Sequence, residues 1–217
     1  MSENKLNKKL PKATAKRLPQ YYRLFKILVE EKVTRTNSQT ISEKIGVDAA
    51  TIRRDFSLFG ELGRRGYGYE TLTLRDFFAE LLGQDQETPL ALVGVGNLGR
   101  ALIHYQFQER NKMRITQAYD VSGNPLVGTQ TDDGIPIYNI SDFEKNVKKS
   151  EIKTAILSVK KEDAQEVTDI LIASGIKGIL NFAPIRLQVP EDVVVQSIDL
   201  TKELQTLLFF MNDKTRK

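Results

Sequence analysis

The sequence predicts an α/β protein: a small helical domain closed by a β-hairpin, a larger domain of alternating strands and helices, and a last amphipathic helix. Three observations predict it. Apolar residues keep helical spacing as far as LRDFFAELLG, then give way to short apolar runs separated by helical stretches. A polar segment, GQDQETP at 83–89, lies between the two patterns. Charge divides at the same place: residues 1–83 carry 16 Lys and Arg against 10 Asp and Glu, whereas residues 84–217 carry 16 against 18. The expected division is a first domain over 1–83, a second over 84–199, and a C-terminal helix and tail over 200–217.

The 217 residues suffice for two small cores, and 40% apolar with 28% charged residues is ordinary for a soluble globular chain. No apolar run approaches the ~20 residues of a membrane span. The opening MSENKLNKKLPKATAKR lacks the apolar stretch of a secretory signal, so a cytoplasmic location is expected. There is no cysteine, which excludes disulfides, thiolate metal sites and thiol-based redox sensing; His104 is the only histidine, so neither a metal site nor a His-dependent triad is expected. The basic first domain suits a polyanion.

Leu18, Tyr21, Tyr22, Phe25, Leu28 and Val29 recur at three- and four-residue spacing and predict a helix from Leu18 to about Glu31, with Pro19 in its first turn. Asn37 and Ser38 can cap a second, short helix that Gly46 ends in a left-handed conformation. Asp48 can cap a third, Ala49 to Phe59, whose apolar stripe is Ile52, Phe56 and Phe59. GELGRRGYGYET then reads as a tight hairpin, and LRDFFAELLG as another helix.

Two short helices joined by a glycine turn and followed by a hairpin make a winged helix-turn-helix, whose third helix enters the major groove of DNA. Opposite the apolar stripe stand Ala50, Arg53, Arg54 and Ser57. Small Ala50 allows close approach, Arg53 or Arg54 can fork to guanine O6 and N7, and Ser57 or Thr51 can reach phosphate or a base edge. Arg64 and Arg65 project from the wing towards backbone or minor groove. One such arginine pair reads as a solvated face; two, at the two places a winged helix presents to DNA, predict a nucleic-acid interface.

In the second domain, strand-like runs at 90–95, 115–119, 135–138, 154–159, 178–180 and 193–198 alternate with helices, which predicts a parallel sheet covered on both faces. LALVGVGNLGRAL sets Gly94, Gly96 and Gly99 in GxGxxG spacing, after a strand and before a helix. In this Rossmann arrangement Gly94 makes the sharp turn, Gly96 admits a pyrophosphate to the backbone amides, and Gly99 lets helix and strand pack closely. Asp120 follows Gly99 by 21 residues, at the end of the second strand, where a carboxylate accepts hydrogen bonds from ribose hydroxyls and repels a 2′-phosphate. NAD is thereby preferred to NADP. Ser158 and Val159 close the fourth strand at its ligand-facing end. A dehydrogenase would need a proton donor beside the nicotinamide, and His104, about 100° from the face carrying Leu98, Ala101, Leu102 and Tyr105, reads as exposed rather than catalytic.

Asp199 can cap the last helix, in which Leu200, Leu204, Leu207, Leu208 and Met211 form an apolar stripe joined by Phe209 and Phe210. That helix covers its own sheet or packs on a second subunit.

ATIRRDFSLFGELGRRGYGY (50–69), LVGVGNLGRAL (92–102), AYD (118–120) and GIKGILNFAP (175–184), in this order, closely resemble the Rex redox-sensing transcriptional repressors over about residues 12–211. The resemblance implies a homodimer of winged-helix and Rossmann domains with C-terminal helices swapped between subunits. It implies that NAD⁺ permits binding to a palindromic operator and that NADH releases it. By matching position it assigns Arg53, Arg54 and Ser57 to operator reading, with Arg64, Arg65 and Tyr67 in the wing. It assigns the stretch Gly94, Val95, Gly96, Asn97, Leu98, Gly99, with Asp120, to the dinucleotide, Tyr105 to the neighbourhood of the nicotinamide, and Asn181, Phe182, Ala183 and Pro184 to a pocket wall. Arg23 and Asp199 resemble a pair linking the DNA-binding domain to the partner's nicotinamide pocket. Leu200 departs from the pattern, since some relatives have an aromatic residue there. The competing readings are an NAD-dependent oxidoreductase with an accessory domain, and a regulator sensing another adenine-containing ligand such as coenzyme A.

Overall fold

The computed structural model describes residues 10–64, 66–84, 86–105, 107 and 112–214. The chain forms two units, Met1–Gln86 and Glu87–Lys217, dividing inside GQDQETP.

The first unit runs α1 (Lys12–Glu30), β1 (Arg35–Thr36), α2 (Ser38–Ile45), α3 (Ala49–Ser57), β2 (Tyr69–Glu70) and α4 (Thr71–Leu81). Local chemistry sets three helix ends where the sequence placed them. Asn37 accepts from the amides of Gln39 and Thr40, Asp48 from those of Ala50 and Thr51, and Gly46 closes α2 at φ +68°. The core is aromatic: Tyr21 meets Phe56 edge-on with ring centroids 5.1 Å apart, and Phe25 stacks on Phe78 at 5.8 Å.

Two expectations need correction. The first helix begins at Lys12 rather than Leu18, and Pro19 lies in its interior. Losing one amide bond at Pro19 is tolerated because the helix buries a long face, Thr14, Leu18, Tyr21, Leu24, Phe25 and Leu28, so tertiary packing outweighs local propensity. The third helix ends at Ser57, with Phe59 half-buried beyond it.

The second unit runs β3 (Thr88–Val93), α5 (Asn97–Ile103), β4 (Met113–Asp120), β5 (Ile137–Asn139), a 3-10 turn at Ile140–Asp142, α6 (Phe143–Ser150), β6 (Thr154–Leu157), α7 (Ala164–Ala173), β7 (Gly178–Asn181), β8 (Val194–Ser197) and α8 (Leu200–Lys214). Its six strands are all parallel, in the order β5-β4-β3-β6-β7-β8. Taken as strands one to six, this is 3-2-1-4-5-6, the doubly wound Rossmann order. Alternate residues of β3 feed two cores. Ala91 and Val93 pack with α6 and α7 through Phe143, Val147, Ala164 and Leu171, while Leu90 and Leu92 pack on the other face with Ile103 of α5. The order of strand addition reverses between β3 and β6, and in such sheets ligands bind outside the carboxyl ends of the strands at that point.

Candidate functional site

In the first unit, α3 presents the four residues the sequence placed on its outer side. Ala50, Arg53, Arg54 and Ser57 are exposed, and Thr51 is half-buried. Ser57 Oγ donates to the carbonyl of Arg54 at 2.7 Å, and Arg53 Nη1 donates to Ser38 Oγ of α2 at 2.8 Å, which holds that guanidinium over the turn. The inner side contains a carboxylate that sequence reasoning did not single out. Asp55 is 2% exposed and accepts hydrogen bonds from Thr14 Oγ1 at 2.8 Å, Tyr21 OH at 2.6 Å, and Arg17 Nε and Nη2 at 2.6 and 2.7 Å. Burial alone would raise its pKa, but Arg17, Tyr21 and Thr14 together outweigh that and hold the carboxyl below its ordinary range. Three residues after Ile52, Asp55 falls on the apolar stripe. A carboxylate there requires a buried partner, and that was the available signal.

The wing is a turn closed between Arg64 and Gly68. The amides of Tyr67 and Gly68 donate to the Arg64 carbonyl at 3.0 and 3.1 Å. Gly68, at φ +77°, is required twice over, because a Cβ there would also strike the Thr36 carbonyl of β1. Arg64 and Tyr67 are exposed, and Tyr67 lies under a residue not foreseen, Arg35, whose Cζ is 4.2 Å from the ring centroid. Arg65 lies outside the described residues. Arg23 is exposed on α1.

In the second unit, a cavity of about 700 Å³ opens at the switch point, and Gly94, Val95, Gly96, Asp120, Ser158 and Val159 line it. Gly94 turns at φ +96°, and a Cβ on it would lie 2.6 Å from the Ser158 carbonyl oxygen. At Gly99 a Cβ would strike the Gly94 carbonyl, so this glycine is needed for helix to meet strand. Gly96 is different: a Cβ there would meet no protein atom within 4 Å. Internal packing does not call for glycine at this position, whereas backbone approach by a phosphate does.

Asp120 Oδ2 accepts from the Val95 amide and from Asn124 Nδ2, both at 2.7 Å, and Oδ1 from the Val121 amide at 2.7 Å. Three of roughly four acceptor positions on the carboxylate are therefore engaged, leaving capacity for a hydroxyl. The Val95 amide is turned to Asp120, which removes it from the set of loop amides aimed at a phosphate. Ser158 is a brace: its hydroxyl donates to the carbonyls of Gly94 at 2.8 Å and Val93 at 3.2 Å. It follows β6, which ends at Leu157, and so does half-buried Val159.

The remaining candidates do not line this cavity. Asn97 and Leu98 are exposed in the first turn of α5, where Asn97 Oδ1 accepts from Arg100 Nη2 at 2.8 Å. Tyr105 is exposed beside Phe107, ring centroids 4.6 Å apart. Asn181 is fully buried and spends its amide mainly on its own loop, donating to the carbonyls of Ala183 and Ile185 and to Ser197 Oγ of β8, and accepting from the Ala183 amide. Ala183 is buried, Phe182 half-buried and Pro184 exposed. His104 is exposed, with Nδ1 3.8 Å from Asp133. Asp199 is half-buried, and its Oδ1 accepts from the Lys202 amide at 3.1 Å, capping α8 as the sequence suggested. Arg100, Asn124 and Lys160, which also line the cavity, were not foreseen.

Known proteins carry the same combination. Residues 9–57 match the family described as putative DNA-binding protein N-terminus, and residues 85–185 match the CoA binding domain. The redox-sensing transcriptional repressor Rex of Lactococcus lactis subsp. cremoris (strain SK11) is 86% identical over 213 residues, covering 98% of this chain and 99% of its own length. The chain belongs to the Rex family of redox-sensing transcriptional repressors. The Rex of Streptococcus uberis is 56% identical over 207 residues, 95% of this chain and 97% of its own. RSP, a Rex-family repressor, superposes in its complex with β-NAD⁺ and operator DNA at TM-score 0.88, with 31% identity and 96% and 95% of the two chains covered. Its complex with β-NADH superposes at 0.84, again at 31% identity, over 96% and 97%. Rex proteins are repressors and not enzymes, which decides against the oxidoreductase reading.

Proposed function

We propose that this chain is a repressor that binds palindromic operator DNA as a homodimer while it holds NAD⁺ and leaves it when NADH takes the site, so that occupancy of the operator follows the NADH/NAD⁺ ratio. The observation that carries the reading is the presence in one chain of an exposed Arg53–Arg54 face on a clamped helix and a Rossmann cavity in which a Cβ on Gly96 would meet no protein atom, so that its backbone is open to a ligand. RSP, similar over nearly its whole length, has been captured with both nucleotides and with operator DNA.

The residues present fit the dinucleotide. Gly94, Gly96 and Gly99 shape the pyrophosphate turn, and Asp120, already held by Val95 and Asn124, offers its remaining acceptor capacity to the adenine ribose. Bound nicotinamide supplies the difference between a cationic oxidised ring and a neutral reduced one. Tyr105 and the Asn181–Pro184 loop would form the wall that distinguishes them, and Asn181, with its amide saturated internally, would do so by shaping the loop. A ligand shifts a two-state dimer only through differential affinity, and a coupling of about 1–3 kcal/mol changes operator affinity roughly 5- to 150-fold.

The C-terminal helix supports the dimer. Leu204, Leu207, Phe209 and Phe210 of α8 are each more than half exposed, at 56%, 56%, 65% and 58%. An apolar surface of this kind marks a protein contact, and exchange of α8 between subunits would cover it. No described helix is long and apolar enough to cross a membrane, and no described cluster of three or more His, Cys, Asp or Glu could hold a metal. A repressor works where its operator DNA is, so we take the setting to be cytoplasmic.

The match to the CoA binding domain favours one second reading, a coenzyme A sensor. Both are tested by forming the complex with a labelled palindromic duplex, selected from a random pool, in NAD⁺ and then adding each ligand. NADH should release the duplex and coenzyme A should not, and Asp120→Ala should abolish the NADH response. Release by coenzyme A alone reverses the assignment.

A further inference from the structure

Arg35 stands in the short strand β1, antiparallel to β2, directly opposite Glu70. Its guanidinium is nevertheless matched with an aromatic ring. Cζ lies 4.2 Å from the centroid of Tyr67, while Glu70 Oε2 accepts a hydrogen bond from Thr73 Oγ1 at 2.7 Å. A guanidinium whose Cζ sits over an aromatic ring in a cation–π contact still has N–H donors to offer, and these suit phosphate oxygens. Arg35 and Tyr67 are both exposed, and together with Arg64 they border a groove of about 370 Å³ along the wing.

The same strand is tied to the recognition helix. Three residues on from Arg35, Ser38 Oγ receives the hydrogen bond from Arg53 Nη1. The ring of Tyr69, paired with Thr36, meets Phe56 of α3 edge-on at 5.0 Å. The wing and α3 are thus joined through the segment 35–38, which carries Arg35 on the groove that Arg64 also borders and Ser38 as the acceptor of Arg53. Packing does not explain an arginine here: the neighbouring Thr36 is buried, whereas Arg35 faces outward.

We propose that Arg35 is an operator-contacting residue, binding a backbone phosphate between the recognition helix and the wing while its face holds Tyr67 in position. The inference rests on the operator-binding reading above. A phosphate contact carries charge but no base information, so it appears in the salt dependence of binding.

The test measures operator affinity in NAD⁺ over a series of salt concentrations for wild type, Arg35→Gln and Arg35→Lys, with NADH affinity and melting midpoint as controls of the fold. Arg35→Gln should bind several-fold more weakly to operator and random duplex alike, with the slope of log K against log salt reduced by about 1. Arg35→Lys should keep the wild-type slope, because it keeps the charge. A wild-type slope in Arg35→Gln overturns the proposal, whether or not affinity falls, since a fall without a slope change means that the residue only props Tyr67. Failure of the wild-type protein to bind any duplex in NAD⁺ would instead overturn the operator reading itself.

Discussion

Arg17 and Asp55 meet through two hydrogen bonds of 2.6 and 2.7 Å beneath the recognition helix, with the carboxylate side chain 3% and the guanidinium 23% exposed. The pair couples α1 to the rotation of α3 and hence to where Arg53 and Arg54 point. A buried carboxylate left without its cation is strongly destabilising, so Arg17→Met should lower the unfolding free energy by about 3–5 kcal/mol, read as a fall in urea midpoint. The pH dependence has a definite sign. Asp55 has a depressed pKa in the folded protein, so its contribution is complete above the unfolded value near ~4 and is lost as pH falls below that through the folded value. Asp55→Asn should remove this part of the acid sensitivity, and urea midpoints at pH 7 and pH 3 compare it with wild type.

The three glycines of the loop should separate by experiment. Gly94→Ala and Gly99→Ala should lower the melting midpoint, since each Cβ would collide with backbone. Gly96→Ala should leave the melting midpoint of the ligand-free protein unchanged and weaken NADH binding at least tenfold, measured by calorimetry. Unchanged NADH affinity would mean that the pyrophosphate does not approach there.

Arg53→Ala should cost about 1–3 kcal/mol of operator binding, lost mainly at one base position if that side chain forks to guanine. Competition with duplexes altered one pair at a time shows whether discrimination at that position disappears. A uniform loss across all duplexes would instead make Arg53 a backbone contact.

The apolar side chains of α8 should be required for assembly. Leu204 and Leu208 lie one turn apart on the helix and are exposed in the single chain. Replacing both with Glu should convert the dimer to monomer in sedimentation velocity. A dimer unchanged by the double substitution would place the subunit contact elsewhere.

The legible parts of this molecule are those in which neighbouring residues determine conformation. Asn37, Gly46 and Asp48 bound their helices because a side-chain oxygen or a left-handed glycine acts within three residues. The parallel sheet and the glycine turn followed from a periodic pattern with a spaced motif. What escaped was long-range. Pro19 read as a helix start until the buried face around it was seen, and Asp55 was not singled out because its partners lie 34 to 41 residues away. Ser158 and Asn181 drew attention as ligand contacts; Ser158 braces the glycine turn by donating to the Gly94 and Val93 carbonyls, and Asn181 bonds chiefly within its own loop. Arg35 was passed over because its partner, Tyr67, comes from a different turn of the chain.

The central claim is that the ratio of reduced to oxidised nucleotide, not the presence of nucleotide, sets operator binding. Its most direct test is a titration of labelled operator with the protein in mixtures of NADH and NAD⁺ at fixed total nucleotide. Affinity should fall roughly 5- to 150-fold from all NAD⁺ to all NADH, and the midpoint should track the ratio when the total is doubled. Equal affinity at every ratio would contradict the account.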